Sequence, residues 1–170
     1  MCGISLINVT DLKTISLKHR GPDETIVLTK NKRIFTFNRL SINDLSSNGS
    51  QPFHTQTSAF ICNGEIYNYK KLLEDNNIIN TKGGSDCEIV FHLLEQNEIE
   101  PNIICKLLDG VFAFAYSNEQ IEIIARDPIG IRPLFYGKSN TDKSILNFAS
   151  EAKALIYNST DIKQFPPGFI

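Results

Sequence analysis

The chain has 170 residues, 41% of them apolar and 21% charged, and 17 Lys and Arg against 19 Asp and Glu leave a net charge of −2. That length fits one domain, residues 1–170, and can bury roughly 70% of its unfolded surface, so folding requires neither disulfides nor a metal. The near-neutral balance argues against a nucleic-acid surface, and no apolar run approaches the ~20 residues of a membrane span. The four cysteines, Cys2, Cys62, Cys87 and Cys105, form no C-x-x-C pair and have no histidine at ligand spacing. Neither a zinc site nor a disulfide framework is indicated, and a soluble, cytoplasmic protein is expected.

In chain order, Ile4–Val9 reads as a short buried strand that would hold Cys2 at its edge. Asp11 can cap a short helix to about Lys18, with Leu12, Ile15 and Leu17 as its apolar side, before Gly21-Pro22 stops it. Strands follow at Thr25–Thr29 and Arg33–Ile42, the second with Phe35, Phe37, Arg39 and Ser41 on one face. Ser46–Ser50 is loop chemistry, and Ser58–Cys62 is a strand ended by the turn-former Asn63-Gly64. Tyr69–Asn76 is helical by its apolar spacing, and Gly83-Gly84 breaks the chain.

Ser85-Asp86-Cys87-Glu88 is a capping box opening a helix whose inward stripe is Ile89, Val90, Leu93 and Leu94. Pro101 opens another, to about Leu108. Strands are then expected at Val111–Tyr116, Gln120–Arg126, Leu134–Gly137 and Ile145–Ala149, with a turn at Asp127–Gly130 and a last short helix over Glu151–Tyr157. Many strands with helices clustered in the middle predict an α+β sandwich, two sheets covered by helices.

Met1-Cys2-Gly3 is the stretch with the most chemical content. If Met1 is removed, Cys2 carries a thiol and a free α-amine, and the amine titrates at roughly 7.7–8.0, close to where a general base works best. One residue would then supply both nucleophile and base. A cysteine after the initiator Met is also common by chance, so the position does not decide the matter alone.

Ordered motifs along nearly the whole chain carry a resemblance. They are Met1-Cys2-Gly3-Ile4, His19-Arg20-Gly21-Pro22-Asp23, Arg39-Leu40-Ser41-Ile42, Gln51-Pro52, Asn63-Gly64-Glu65-Ile66-Tyr67-Asn68, Ser85-Asp86-Cys87-Glu88, Leu108–Phe114, Arg126–Leu134, Ser150–Leu155 and Phe165-Pro166-Pro167-Gly168. Together they resemble class II glutamine amidotransferase domains, most closely the glutaminase domain of asparagine synthetases. The resemblance implies the four-layer αββα sandwich of N-terminal-nucleophile hydrolases and hydrolysis of L-glutamine through a Cys2 thioester, with no cofactor and no metal. It also implies a separate ammonia-accepting synthetase subunit as partner.

By that resemblance Cys2 is the nucleophile, and the Asn63 side chain and the Gly64 N–H are oxyanion donors. Arg39 takes the α-carboxylate, for which a guanidinium fork suits better than a lysine. Leu40, Ser41, Ile42 and Asn43 line the pocket beside it, and Asp86, with Glu65, takes the α-ammonium. His19–Asp23 are expected to shape the pocket wall. Asp127, Arg132 and Glu151 are expected to fix turns and ion pairs, and His54 and His92 to be ordinary.

Three departures from the family pattern stand out. The stretch from Gly3 to His19 is short, Phe37-Asn38 stand before the arginine where a histidine often directly precedes it, and no Ser-Gly-Gly-type pyrophosphate loop occurs. Asparagine synthesis by this chain alone is therefore not expected. Two rival readings are a catalytically idle glutamine-binding module left from a truncated synthetase, and an amidase of the same nucleophile class acting on another acyl substrate.

Overall fold

The computed structural model describes residues 1–11, 13–42, 45–79, 81, 85–96 and 98–170. Among these, ten strands form two antiparallel sheets. The first contains β1 (Gly3–Asn8), β2 (Glu24–Lys30), β3 (Arg33–Arg39), β8 (Phe135–Ser139), β9 (Leu146–Ala149) and β10 (Ser159–Gln164), in the order β10-β8-β9-β1-β3-β2. The second contains β4 (Phe53–His54), β5 (Ala59–Ile66), β6 (Gly110–Ser117) and β7 (Glu122–Arg126), in that order. Three helices, α1 (Tyr69–Asp75), α2 (Glu88–Gln96) and α3 (Pro101–Leu107), lie in the chain between β5 and β6.

The period-2 alternation of buried side chains builds the layers. Ile4 and Leu6 of β1 and Phe35 and Phe37 of β3 meet Ala59 and Ile61 of β5 and Ala113 and Ala115 of β6 in one cluster between the sheets. The alternate residues, Phe60, Cys62 and Ile66 of β5 with Phe112, Phe114 and Tyr116 of β6, turn outward and pack with Ile89, Val90, Leu93 and Leu94 of α2. Strands covered on both faces read as nearly continuous apolar runs, as β5 and β6 do. At roughly 1.5–3 kcal/mol for each large apolar side chain removed from water, this helix-on-sheet layer is a major source of stability.

The outer face of the first sheet is covered more thinly. Ile7 and Ala149 pack there against Leu17, Ala154 and Leu155, the last two in a 3₁₀ turn over Ala152–Leu155. The α+β sandwich stands, with its fourth layer carried by that turn and by irregular chain around Leu17.

Four local expectations are corrected. No helix forms over the described part of Asp11–Lys18; the Asp11 carboxylate is buried instead, accepting from Ser139 Oγ at 2.5 Å, Thr141 Oγ1 at 3.1 Å and Asn147 Nδ2 at 2.9 Å. An acid satisfied by three distant side chains is not available to cap a local helix, and Leu12 lies outside the described residues. The helix expected over Glu151–Tyr157 is only the 3₁₀ turn. β10, polar and mostly exposed, was not expected; it is held by pairing along the β8 edge. Asn63-Gly64 is not a turn, because β5 runs on through Ile66, with Asn63 opposite Ala113 and Gly64 opposite Phe112. The Gly83-Gly84 break falls outside the described residues.

Candidate active site

Cys2 stands one residue before β1, and the strand alternation puts it on the side of Ile4 and Leu6, facing the second sheet. It packs partly buried against that inter-sheet cluster. Because β1 pairs antiparallel with β3, with Gly3 opposite Asn38, Cys2 comes level with the end of β3. There Leu40 donates its N–H to Cys2 Sγ at 3.4 Å, and Sγ lies 3.7 Å from Leu40 O. Arg39 shares the inner face with Phe35 and Phe37 and is 6% exposed.

These residues open onto a cavity of about 110 Å³ at one end of the sandwich, lined among others by Cys2, Arg39, Leu40, Ser41, Ile42, Gln51, Asn63, Gly64, Glu65, Asp86 and Arg132. Nine of the ten residues singled out from the sequence are brought together here. The tenth, Asn43, lies outside the described residues.

The cavity floor is the edge of β5. Cys62 N–H donates to Gln51 Oε1 at 2.6 Å and Ile66 N–H to Asp86 Oδ2 at 2.5 Å. Both amides point away from β6, and strand alternation puts the Gly64 N–H on the same edge, in the gap between them. Next to it, Asn63 is 2% exposed and its Nδ2 has no hydrogen-bond partner among the described residues. Buried polar groups are nearly always paired, so an orphan donor beside a cysteine thiol marks a place where a ligand atom is expected.

Arg39 Nη1 donates to Ser46 O at 2.7 Å and Ser50 Oγ at 3.0 Å, with Glu24 Oε2 at 3.8 Å. These contacts fix the orientation of the guanidinium plane. Ser41 N–H donates to Asp23 Oδ2 at 2.7 Å, which ties the cavity wall to the His19–Asp23 segment. None of His19–Asp23 lines the cavity itself, a correction to their expected place. They act from behind: Arg20 Nε donates to Cys2 O at 3.1 Å, and His19 and Arg20 both reach Glu151, at 2.8 and 3.2 Å. Against burial, which pushes the Glu151 carboxyl up, those contacts together with Lys153 hold it down to about 2. Asp127 and Glu151 are thus structural, as expected. Arg132 forms an ion pair but also lines the cavity, a place that the turn and ion-pair role expected of it did not include. Gln51, which covers an amide of the floor, was missed as well, and only its Gln-Pro motif pointed to it.

Burial pushes the Cys2 thiol above its ordinary value, while the Leu40 N–H, the positive chain terminus and Arg39 pull it back. A thiol held above its ordinary value would need a base before it could act as a nucleophile. Asp86 is likewise raised by burial, opposed by the Ile66 N–H.

The two-sheet sandwich has the same fold as the glutamine phosphoribosylpyrophosphate amidotransferase of B. subtilis, whose solved structure superposes on 98% of this chain and 46% of that one with a TM-score of 0.75 at 20% identity. Residues 1–165 match the glutamine amidotransferase domain family, and the chain belongs to that family. It is 40% identical over 158 residues to asparagine synthetase [glutamine-hydrolyzing] 3 of Arabidopsis thaliana, covering 91% of this chain and 26% of that protein. It is 39% identical over 188 residues to a probable asparagine synthetase [glutamine-hydrolyzing] of Dictyostelium discoideum, covering 99% and 32%. The chain thus spans about a quarter to a third of the length of the curated relatives it matches. Among the described residues no helix is long and apolar enough to cross a membrane.

Proposed function

We propose that this domain hydrolyses free L-glutamine to glutamate and ammonia and delivers the ammonia to a synthetase; its relatives are named for glutamine hydrolysis and asparagine synthesis. The observation that carries this reading is the pairing of the Cys2 thiol with the orphan Asn63 Nδ2 in one cavity. A thiol alone could be structural, but a thiol beside an unpaired buried donor fits an acyl-transfer site.

In the reaction, Met1 is removed and the Cys2 α-amine takes the thiol proton as Sγ attacks the side-chain amide carbon of glutamine. Asn63 Nδ2 and the Gly64 N–H receive the resulting oxyanion. The α-ammonium returns its proton to the departing nitrogen, which leaves as ammonia, and a thioester remains. Water, losing a proton to the same amine, attacks the thioester carbonyl, and the Cys2 sulfur departs and regains a proton as glutamate is released. Arg39 receives the substrate carboxylate, Asp86 and Glu65 its ammonium, and Leu40, Ser41 and Ile42 form the wall between.

Retention of the whole set argues against an idle module. The test is glutamate release together with intact mass. Protein beginning at Cys2 should turn over glutamine, and Cys2→Ala should bind glutamine without releasing glutamate. Full-rate hydrolysis by protein that retains Met1 would refute the base assignment, since an acylated nitrogen cannot take the proton.

A further inference from the structure

The acid end of the cavity holds three charged side chains. Glu65 on β5 and Asp86 ahead of α2 line it together with Arg132, whose Nη2 lies 3.1 Å from Glu65 Oε1. Two features separate this arginine from an ordinary surface ion pair. The Arg132 side chain is 12% exposed against 47% for Glu65, and its Nε is buried without a hydrogen-bond partner among the described residues. A half-exposed ion pair contributes little to stability, and burying an unpartnered donor costs rather than contributes, so packing does not account for an arginine held here.

The loop that presents Arg132 is also fixed at several points. Asp127 accepts from Ile131 N–H at 2.9 Å and Arg132 N–H at 3.1 Å. Arg126 donates through Nε to Arg132 O and through Nη2 to Gly130 O, both at 2.7 Å. Gly130 sits at φ 75°, where a residue with a Cβ would be strained.

Two carboxylates in one partly buried pocket repel each other. At Asp86 burial is the largest influence; Glu65 pushes in the same direction, while the Ile66 N–H and Arg132 push back. The Cys87 thiol, 4.0 Å from Asp86 Oδ2, is a further titratable group against it among the described residues. We propose that Arg132 is a positioning residue for the ammonium end of glutamine, fixing Glu65 through its ion pair and offsetting the repulsion between Glu65 and Asp86 where they line the cavity together. With Arg132 the trio carries one net negative charge, matched to one ammonium. Without it, Asp86, already pushed up by burial and by Glu65, loses the cation that pulls it back and holds its charge less readily for the ammonium. This inference rests on the glutamine reading above.

The test is L-glutamine binding to the Cys2→Ala protein by calorimetry, and turnover by the active protein, each with and without Arg132→Met. Removing the charge should weaken glutamine binding about tenfold at pH 7, the scale of a one-unit charge interaction. KM should rise in parallel and kcat change less than about twofold. The binding loss should grow as pH falls from 8 to 6, and Arg132→Lys should recover most of it. In a Glu65→Gln background, where the repulsion is already gone, Arg132→Met should cost less than about threefold. Alkylation of Cys2 by iodoacetamide, read by peptide mass, reports the nucleophile without an ammonium and should be unchanged. Glutamine binding indifferent to Arg132→Met, or equal losses in both backgrounds, would overturn the inference alone. So would a fall in kcat and Cys2 alkylation together, which marks a merely structural role. No glutamine binding by Cys2→Ala protein with Arg132 intact would overturn the functional reading, and this inference with it.

Discussion

Asn63→Ala separates function from stability in a way that follows from one atom. Asn63 Nδ2 is buried without a partner among the described residues, so the free protein bears a desolvation penalty of about 1–3 kcal/mol for it. Removing the amide recovers that penalty and leaves a small void, which costs on the order of 1 kcal/mol. The net change is roughly 0 to +2 kcal/mol. For a chain of this size the melting temperature should therefore hold, or rise by up to about 8 °C at ~2–4 °C per kcal/mol. Turnover should fall in the other direction, by about 10²–10³, the usual loss of ~2.7–4 kcal/mol for one oxyanion donor. Glutamate release under saturating glutamine and a thermal melt on the same preparation measure both. A melting temperature lowered by several degrees with unchanged kcat would refute the reasoning, since it would make Asn63 a structural residue whose donor is satisfied without substrate.

Further outcomes are expected at the rim of the cavity. Arg39→Lys keeps the charge but loses the planar fork, so KM for glutamine should rise with kcat nearly unchanged, and glutamine amide, which lacks the carboxylate, should be affected less. Asp86 has its value raised by burial, so the carboxylate is lost at a higher pH than for a free aspartate; KM should climb as pH falls toward that range, and Asp86→Asn should flatten the climb. The same shift has a stability side. A raised folded value stabilises at pH below the unfolded value, and the contribution is lost as pH rises through the folded one, so Asp86→Asn should raise the melting temperature more at pH 7 than at pH 4. Gly21→Ala would place a Cβ 2.1 Å from Asn38 O and 2.5 Å from Arg39 C; forcing the end of β3 aside should cost about 1–3 kcal/mol and weaken glutamine binding through Arg39. Unchanged melting and binding would show that this approach relaxes without consequence.

The amino-acid sequence by itself determined the local periodicities and the residue types. Alternation in Phe35, Phe37 and Arg39 put the arginine on the inner face of β3, as found, and the apolar stripe of α2 defined a helix that must cover a sheet. The ordered motifs pointed to nine of the residues that line the cavity, whereas Arg132 and Gln51 stood in those motifs without being given a place there. The tertiary structure decided what depended on distant partners. Asn63-Gly64 has turn chemistry, yet β6 pairs along it and carries the strand through, converting a turn signal into part of the cavity floor. Asp11 has cap chemistry, yet Ser139, Thr141 and Asn147, nearly 130 or more positions away, claim its carboxylate. β10 has no apolar pattern to read because it is an exposed edge held by backbone pairing. Arg132 looked like a turn residue because one-dimensional spacing cannot show that the loop after β7 reaches the cavity beside Glu65. In each case local preference amounts to a fraction of a kcal/mol to about one, and pairing or burial against remote chain outweighs it.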